Sequence, residues 1–232
     1  MRTFAFVFAR GGSKGVVKKN IKIFANKPLI AHSIKLANQL SEVEHCFVST
    51  DSNEIALIAK RLGTTIIKRP KNISRDDSPE FLAWRHAVLW VEKKIGNFDR
   101  FISIPATSPL RSLCDIQKCL DALDEVTDVV ITMTPSQKNP WFNMVTYDQN
   151  GKLRLVNKKK NKIIRRQDAP KVFDMTGVSF VARKNFILKS NNIWDGRVRG
   201  IIIPPERAID IDTEYDFKLA EMLYKKKGQK VF

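Results

Sequence analysis

Cysteine is scarce in this sequence and cannot form a framework. Cys46, Cys114 and Cys119 are odd in number, none stands in a C-x-x-C pair, and His32, His45 and His86 lie away from them. A disulfide scaffold and a zinc site are set aside, and free thiols in a reducing compartment are expected. No apolar run approaches the roughly 20 residues of a membrane helix. Met1-Arg2 leads directly into a short strand-like run, without the length or cleavage site of a secretory signal. A soluble, cytosolic protein with no membrane partner is expected. Repeats and low-complexity linkers are also missing, so the 232 residues are read as one domain, 1–232. Acidic residues are few, 24 against 41 basic ones, for a formal net charge of +17. That balance favours anionic partners, either nucleic acid or small phosphorylated and carboxylated substrates. Solvated lysine faces would give the same total.

What is present is an alternation. Strand-like runs fall at 3–8, 47–50, 65–67, 101–104 and 128–133. Helical patterns fall between them at 28–40, 53–62, 78–95 and 113–123. Asp51-Ser52-Asn53 and Ser78-Pro79-Glu80 read as helix starts, and Gly63 and Gly96 as stops. The pattern predicts an α/β fold: a Rossmann-like, mostly parallel sheet with helices on both faces. Ligands gather at the carboxyl ends of such strands, which picks out the loops 9–20, 49–51 and 106–111. From about 135 to 171 the rhythm breaks into loops and hairpin strands, with Asn150-Gly151 as a tight turn, and reads as an insertion. Strand-like runs return at 173–182 and 200–204, and a last helix is expected over 213–225.

The stretch "ARGGSKG", residues 9–15, follows the first strand. Glycines let backbone N–H groups approach an anion, and Arg10, Lys14, Lys18 and Lys19 surround them with positive charge. The spacing is neither a Walker loop nor the dinucleotide fingerprint. It reads as a phosphate site or as a glycine-rich turn with exposed lysines. Near the other end, "AIDIDTEYD" carries Asp210 and Asp212. In an extended chain residues i and i+2 share a side, so two carboxylates converge and invite a cation such as Mg²⁺. Asp212 could instead cap the last helix. A basic phosphate loop with a carboxylate pair suits metal-assisted phosphoryl or nucleotidyl transfer.

"ARGGSKG" followed by Lys19-Asn20, "VSTD" at 48–51, "ATSPLR" at 106–111, "RRQ" at 165–167 and "IDIDTE" at 209–214 occur in that order along nearly the whole chain. Together they resemble the acylneuraminate cytidylyltransferases, the CMP-sialic acid synthetases. The resemblance implies that CTP and a 2-keto-3-deoxy sugar acid, here a nonulosonic (sialic-type) acid, give the CMP-sugar and pyrophosphate. It implies that Arg10, Gly11, Gly12, Ser13, Lys14, Lys19 and Asn20 bind the nucleotide, with Arg10, Lys19 and Asp212 catalytic. Asp210 and Asp212 would hold Mg²⁺. It further implies a homodimer in which the insertion, roughly 135–171, reaches the partner's site, so that Arg166 and Gln167 serve the neighbour's sugar.

Asp174 and Thr176 would also lie near the sugar. Here the sequence departs from well-known bacterial members, which have arginine and asparagine near these positions and glutamine at the position of Pro105. The departures put the identity of the sugar in question and admit another 2-keto-3-deoxy acid, such as legionaminic acid or a Kdo-like sugar. Arg111 is read as a salt bridge near a helix, Trp84 and Trp90 as core or dimer surface, Trp141 and Phe142 as dimer packing, and His86 as structural. The reading from another class is a basic nucleic-acid-binding protein. It predicts a basic stripe interleaved with stacking aromatics, whereas the aromatics here sit mostly in apolar strand and helix patterns.

Overall fold

A computed structural model describes residues 1–157 and 163–228. The first strand, β1 (Thr3–Phe8), explains the layering. Its side chains alternate across the sheet. Phe4 and Phe6 enter an aromatic core with Phe47, Trp84, Phe101 and Phe180, while Ala5 and Val7 enter an aliphatic core with Ile30, Ile34, Val48 and Ile102. Large residues on one face and small ones on the other let helices cover both.

After β1 come a short hairpin, β2 (Ile23–Phe24) and β3 (Lys27–Pro28), then α1 (Leu29–Ala37), β4 (Val43–Thr50), α2 (Asn53–Arg61), β5 (Thr65–Lys68) and α3 (Glu80–Lys94). β6 (Arg100–Ser103), α4 (Leu113–Asp121) and β7 (Val129–Pro135) follow. A hairpin, β8 (Val145–Tyr147) and β9 (Leu153–Leu155), interrupts before β10 (Phe173–Arg183), α5 (Lys184–Lys189), β11 (Val198–Ile202) and α6 (Glu214–Gly228). The main sheet has seven strands in the order β11-β7-β10-β6-β1-β4-β5. β10 runs antiparallel to both β6 and β7, and the other pairings are parallel. The mostly parallel α/β sheet is as expected.

The chain moves outward from β1 to β4 and β5, then crosses to β6 on β1's other side. That reversal opens a crevice beyond the carboxyl end of β1, where an open α/β sheet binds ligands.

Several boundaries differ from expectation. α1 ends at Ala37 rather than near 40, and β4 begins at Val43 instead of 47, because its first residues pair with the start of β1 before the apolar run begins. Ser52 caps α2 as expected, accepting from the Ile55 amide at 3.4 Å. Ser78 does not cap α3: its hydroxyl bonds the Asn72 carbonyl, and Pro79 holds the cap position. The β2–β3 hairpin turns through Ala25 and Asn26, both with positive φ, and two-residue strands leave no periodicity to read. The turn at Asn150-Gly151 is present, with Gly151 at φ 75°. Part of the expected insertion, residues 158–162, lies outside the described residues.

A third, smaller core joins distant parts of the chain. Val16, Phe24, Leu29, Leu110, Ile211 and Phe217 pack together. Burying a side chain such as Ile211 contributes about 2 kcal/mol. It also clamps the loop after β1 to the segment before α6.

Candidate active site

The crevice is a cavity of about 490 Å³. The loop after β1 supplies Arg10, Ser13, Lys14, Gly15, Lys19 and Asn20; the segment between β5 and α3 supplies Arg69, Ser74, Asp76 and Ser78; Thr107 and Asp212 complete the rim. Lys19 is the hinge of the arrangement. Its ammonium is largely buried, at 13 % side-chain exposure, and it donates to the Ile211 carbonyl and to Asp212 Oδ1 at 3.1 Å. Asn20 is buried and donates to the Arg10 carbonyl at 3.0 Å, which fixes the loop from inside.

Asp210 and Asp212 flank buried Ile211, whose amide donates to the Thr107 carbonyl at 2.8 Å. The extended backbone therefore sends one side chain into the small core and leaves the carboxylates outside. Asp212 does not cap α6. Thr213 takes that role, its hydroxyl accepting from the Asp216 amide at 3.2 Å, while the Asp216 carboxylate in the first turn accepts from the amides of Asp212 and Thr213. The Asp212 carboxylate, 75 % exposed, is left to the cavity.

Glycine makes this approach possible at two points. A Cβ on Gly15 would overlap the Asp212 carbonyl oxygen, and one on Gly177 would stand 2.7 Å from Asp210 Oδ2. The pair of hard carboxylate donors suits a cation that completes its shell with waters and substrate oxygens. Among the described residues no group of three or more His, Cys, Asp or Glu could cage a metal alone.

Two expected phosphate ligands are already engaged. Arg10 and Lys14 both contact the Asp76 carboxylate, Lys14 at 2.5 Å. The hydrogen bond from Lys14, with Arg10 beside it, holds Asp76 below the usual carboxylate range. The Gly11 amide donates to Asp51 Oδ1 at 2.9 Å, so the "VSTD" motif shapes the loop, and Gly12 lies exposed beside it.

Arg111 is not the salt bridge expected of it. Its guanidinium is buried and donates to the Ser33 hydroxyl at 2.7 Å and to the carbonyls of Gly177 and Pro105. Burial lowers its pKa to about 9, against the pull of Asp210 and Asp115, so it stays a cation at neutral pH. It ties the "ATSPLR" loop to β10 beneath Asp210.

The residues expected near the sugar are not all brought together. Arg166 and Gln167 line a separate cavity of about 620 Å³, with Ser136, Asn139, Phe173 and Ile202. It shares no lining residue with the first. Asp174 is exposed on β10 opposite Thr134. Thr176 is buried, and its hydroxyl bonds Thr132 Oγ1 at 2.8 Å. Trp84 is core and Trp90 packs against it. Cys46 and Cys119 are buried, and Cys114 is exposed.

Sequence reasoning passed over the whole loop after β5, which contributes Arg69, Asp76 and Ser78. The signal was available: this loop too follows the carboxyl end of a parallel strand. Arg69 is buried, donates to Ser49 through Nε and Nη2, and lies 5.6 Å over the Phe8 ring.

A doubly wound sheet with a cation-rich loop after its first strand, faced by the exposed Asp212 carboxylate with half-buried Asp210 two residues before it, defines a nucleotidyl-transferring α/β enzyme. The sequence pattern of the Cytidylyltransferase family matches residues 4–230, and the chain belongs to that family. It is 36 % identical to "Post-translational flagellin modification protein B" of Campylobacter coli, over 96 % of this chain and 94 % of the relative. It is 34 % identical to "CMP-N,N'-diacetyllegionaminic acid synthase" of Campylobacter jejuni, over 94 % of this chain and 92 % of that one. A solved structure of CMP:2-keto-3-deoxy-manno-octonic acid synthetase complexed with CTP shares the fold, with TM-score 0.73 over 98 % of this chain and 100 % of that one at 15 % identity. No helix among the described residues is long and apolar enough to cross a membrane.

Proposed function

We propose that the chain transfers the cytidylyl group of CTP to the anomeric hydroxyl of a nonulosonic acid, giving the CMP-sugar and pyrophosphate. The observation that carries this reading is Lys19 bonded to Asp212 inside a cavity lined by Arg10, Ser13 and Lys14. It brings the cations a triphosphate needs beside a carboxylate that could meet a metal and an attacking hydroxyl. Arg10, Lys14 and Lys19 neutralise the triphosphate, Ser13 donates a hydrogen bond to it, and Lys19 follows the charge that develops as pyrophosphate leaves. Asp210 and Asp212 would hold Mg²⁺, which when bound supplies positive charge to phosphate oxygens and lowers the pKa of a coordinated hydroxyl.

The relative named for diacetyllegionaminic acid favours a legionaminic-type sugar. A homodimer is part of the reading. Arg166 and Gln167 line a cavity apart from the nucleotide cavity of their own chain, which supports a role at a partner's sugar. Val145, Tyr147, Leu153, Met175 and Ile202, on the insertion and the neighbouring sheet edge, are large apolar residues left exposed, a surface that a second copy would cover.

The test is pyrophosphate release from CTP, with ATP and GTP as controls, with and without Mg²⁺. The acceptors are N,N'-diacetyllegionaminic, sialic and pseudaminic acids and Kdo. Release with CTP and one nonulosonic acid supports the reading. Folded protein that neither binds CTP nor turns over, and instead binds short RNA with a steep salt dependence, overturns it.

A further inference from the structure

Arg111 is a charge in an expensive place. It is 5 % exposed, and its Nε has no hydrogen-bond partner among the described residues. A buried cation with an unused donor is costly, and stability alone does not account for it, since an apolar side chain of similar volume often serves a fold as well. It forms no ion pair among the described residues. Burial lowers its pKa, and Asp210 and Asp115 are the carboxylates that oppose the drop.

The donors it does use join two backbones. Nη1 donates to the Ser33 hydroxyl at 2.7 Å, and Ser33 in turn donates to the Pro105 carbonyl at 3.0 Å. Nη2 donates to that same carbonyl and, at 3.3 Å, to the carbonyl of Gly177. Pro105 lies on the loop between β6 and α4. Gly177 lies in β10 where its register with β7 shifts, between Thr176 and Phe180. These two segments also confine Asp210. A Cβ on Gly177 would stand 2.7 Å from Asp210 Oδ2, so the bare backbone forms one wall. Ser108, on the loop, donates to Asp210 Oδ1 at 3.5 Å, and the Thr107 carbonyl holds the Ile211 amide at 2.8 Å. The segment leading into Asp210 is anchored too: Arg207 forks onto buried Asp115 at 2.9 and 2.8 Å. Charges therefore alternate through Asp210, Arg111, Asp115 and Arg207.

We infer that Arg111 is a positioning residue for Asp210: by pinning loop 105–108 to the β10 backbone at Gly177, it fixes the carboxylate for a divalent cation. This rests on the reading of Asp210 and Asp212 as Mg²⁺ ligands. Arg111 acts through backbone and does not itself bond the carboxylate. Its planar fork reaches two carbonyls and a hydroxyl at once, which the single ammonium of lysine, a point charge on a flexible stem, does not reproduce. Mg²⁺ demands near-ideal octahedral geometry, so it is sensitive to small displacements of a ligand.

Four chains test this: wild type, Arg111→Lys, Asp210→Asn and the double variant, each with a thermal melt to establish folding. Mn²⁺ is the probe, its affinity read from the electron spin resonance of the free ion. Turnover at fixed Mg²⁺ is the second reading. Losing an outer partner of a metal ligand costs about 10- to 100-fold in metal affinity or activity, so Arg111→Lys should bind Mn²⁺ at least about tenfold more weakly. With an amide already in place of the Asp210 carboxylate, Arg111→Lys should lower turnover little further. Wild-type Mn²⁺ affinity in folded Arg111→Lys overturns the inference, and so does a loss of turnover that multiplies in full with that of Asp210→Asn. Asp210→Asn that binds Mn²⁺ as the wild type does overturns the metal reading itself. Where Arg111→Lys fails to fold, Ser33→Ala takes its place, because it removes both the Nη1 partner and the bond from Ser33 to Pro105. Weaker Mn²⁺ binding in that variant supports Arg111, and unchanged binding overturns it.

Discussion

The carbonyl oxygen of Asp212 fills the space that a Cβ on Gly15 would need. The loop after the first strand and the carboxylate segment before the last helix therefore meet as bare backbone, with Val16 and Ile211 packed in the same small core beside them. Gly15→Ala cannot be absorbed by a flexible side chain, because the obstacle is backbone. It is expected to push Asp212 away from Lys19 and to lower CTP turnover about 100-fold, the effect of misplacing a catalytic group by about 1 Å. Stability should fall by about 1–3 kcal/mol. Kinetics and a denaturant melt on one sample check both, and wild-type turnover would show that the close approach has no catalytic role.

Asp212→Asn separates chemistry from fold. The carboxylate is mostly exposed and leaves capping to Thr213 with Asp216, so its loss should leave the thermal midpoint within about 1 °C while turnover drops at least about 100-fold. Asp216→Ala should do the reverse to stability, removing the first-turn partner of the Thr213 cap at a cost of about 1 kcal/mol. Equal loss of stability in both variants would contradict this division of roles.

Asp76 sits against both Arg10 and Lys14, where the proposed nucleotide brings its own negative charge. A triphosphate must compete with that carboxylate. Asp76→Asn is expected to tighten CTP binding several-fold at low ionic strength, with the gain shrinking as salt screens the exposed charges. Calorimetric titration at two salt concentrations checks it. Weaker binding in the variant would mean that Asp76 instead positions the two cations for phosphate.

The main sheet was readable because strands buried on both faces show as short apolar runs between helical patterns. The alternation of phenylalanine with small residues in β1, which separates its two faces in the structure, went unused, since 3–8 was read only as an apolar run. The antiparallel direction of β10 was not readable, since direction depends on how the chain returns through the insertion. Nor was the partner of Arg111: a buried arginine bonded to backbone carbonyls looks, in sequence, like any arginine ahead of a helix. Lys19 and Asp212 could be named separately from their motifs, but their ion pair depends on the Val16–Ile211 core, which joins opposite ends of the chain. Asp76 was missed because acids do not attract notice in a search for an anion site.

His32 gives a pH dependence. Its ring meets Phe24 edge-on at 5.2 Å and Tyr224 at 5.5 Å, and Nε2 bonds the Phe24 carbonyl. Burial is the largest influence and lowers its pKa below the usual 6.5, despite the opposing hydrogen bond. The unfolded chain therefore takes up the proton first. The stability held by neutral His32 is present above about pH 6.5 and is lost as pH falls towards the lower folded value. Urea melts at about pH 7.5 and about pH 5.5 should show the loss, and His32→Gln should flatten it. An unchanged slope in the variant would assign the effect to other groups.

Arg166 provides the test of the proposed dimer, because its cavity shares no residue with the nucleotide cavity of the same chain. Arg166→Ala and Asp212→Asn should each be nearly inactive alone. In a mixed dimer, one site receives Asp212 from the Arg166→Ala chain and Arg166 from the Asp212→Asn chain, and is whole. The other site lacks both. Random exchange makes half the dimers mixed, so mixing equal amounts should restore about a quarter of wild-type activity. If Arg166 served its own chain, every site in the mixture would lack one residue and activity would stay at the level of the separate variants. Co-expression with two different tags, followed by tandem purification, isolates the mixed dimer and should raise the restored fraction to about one half. The outcome depends on which chain supplies the arginine, and neither an effect on folding nor a general weakening of sugar binding would reproduce it.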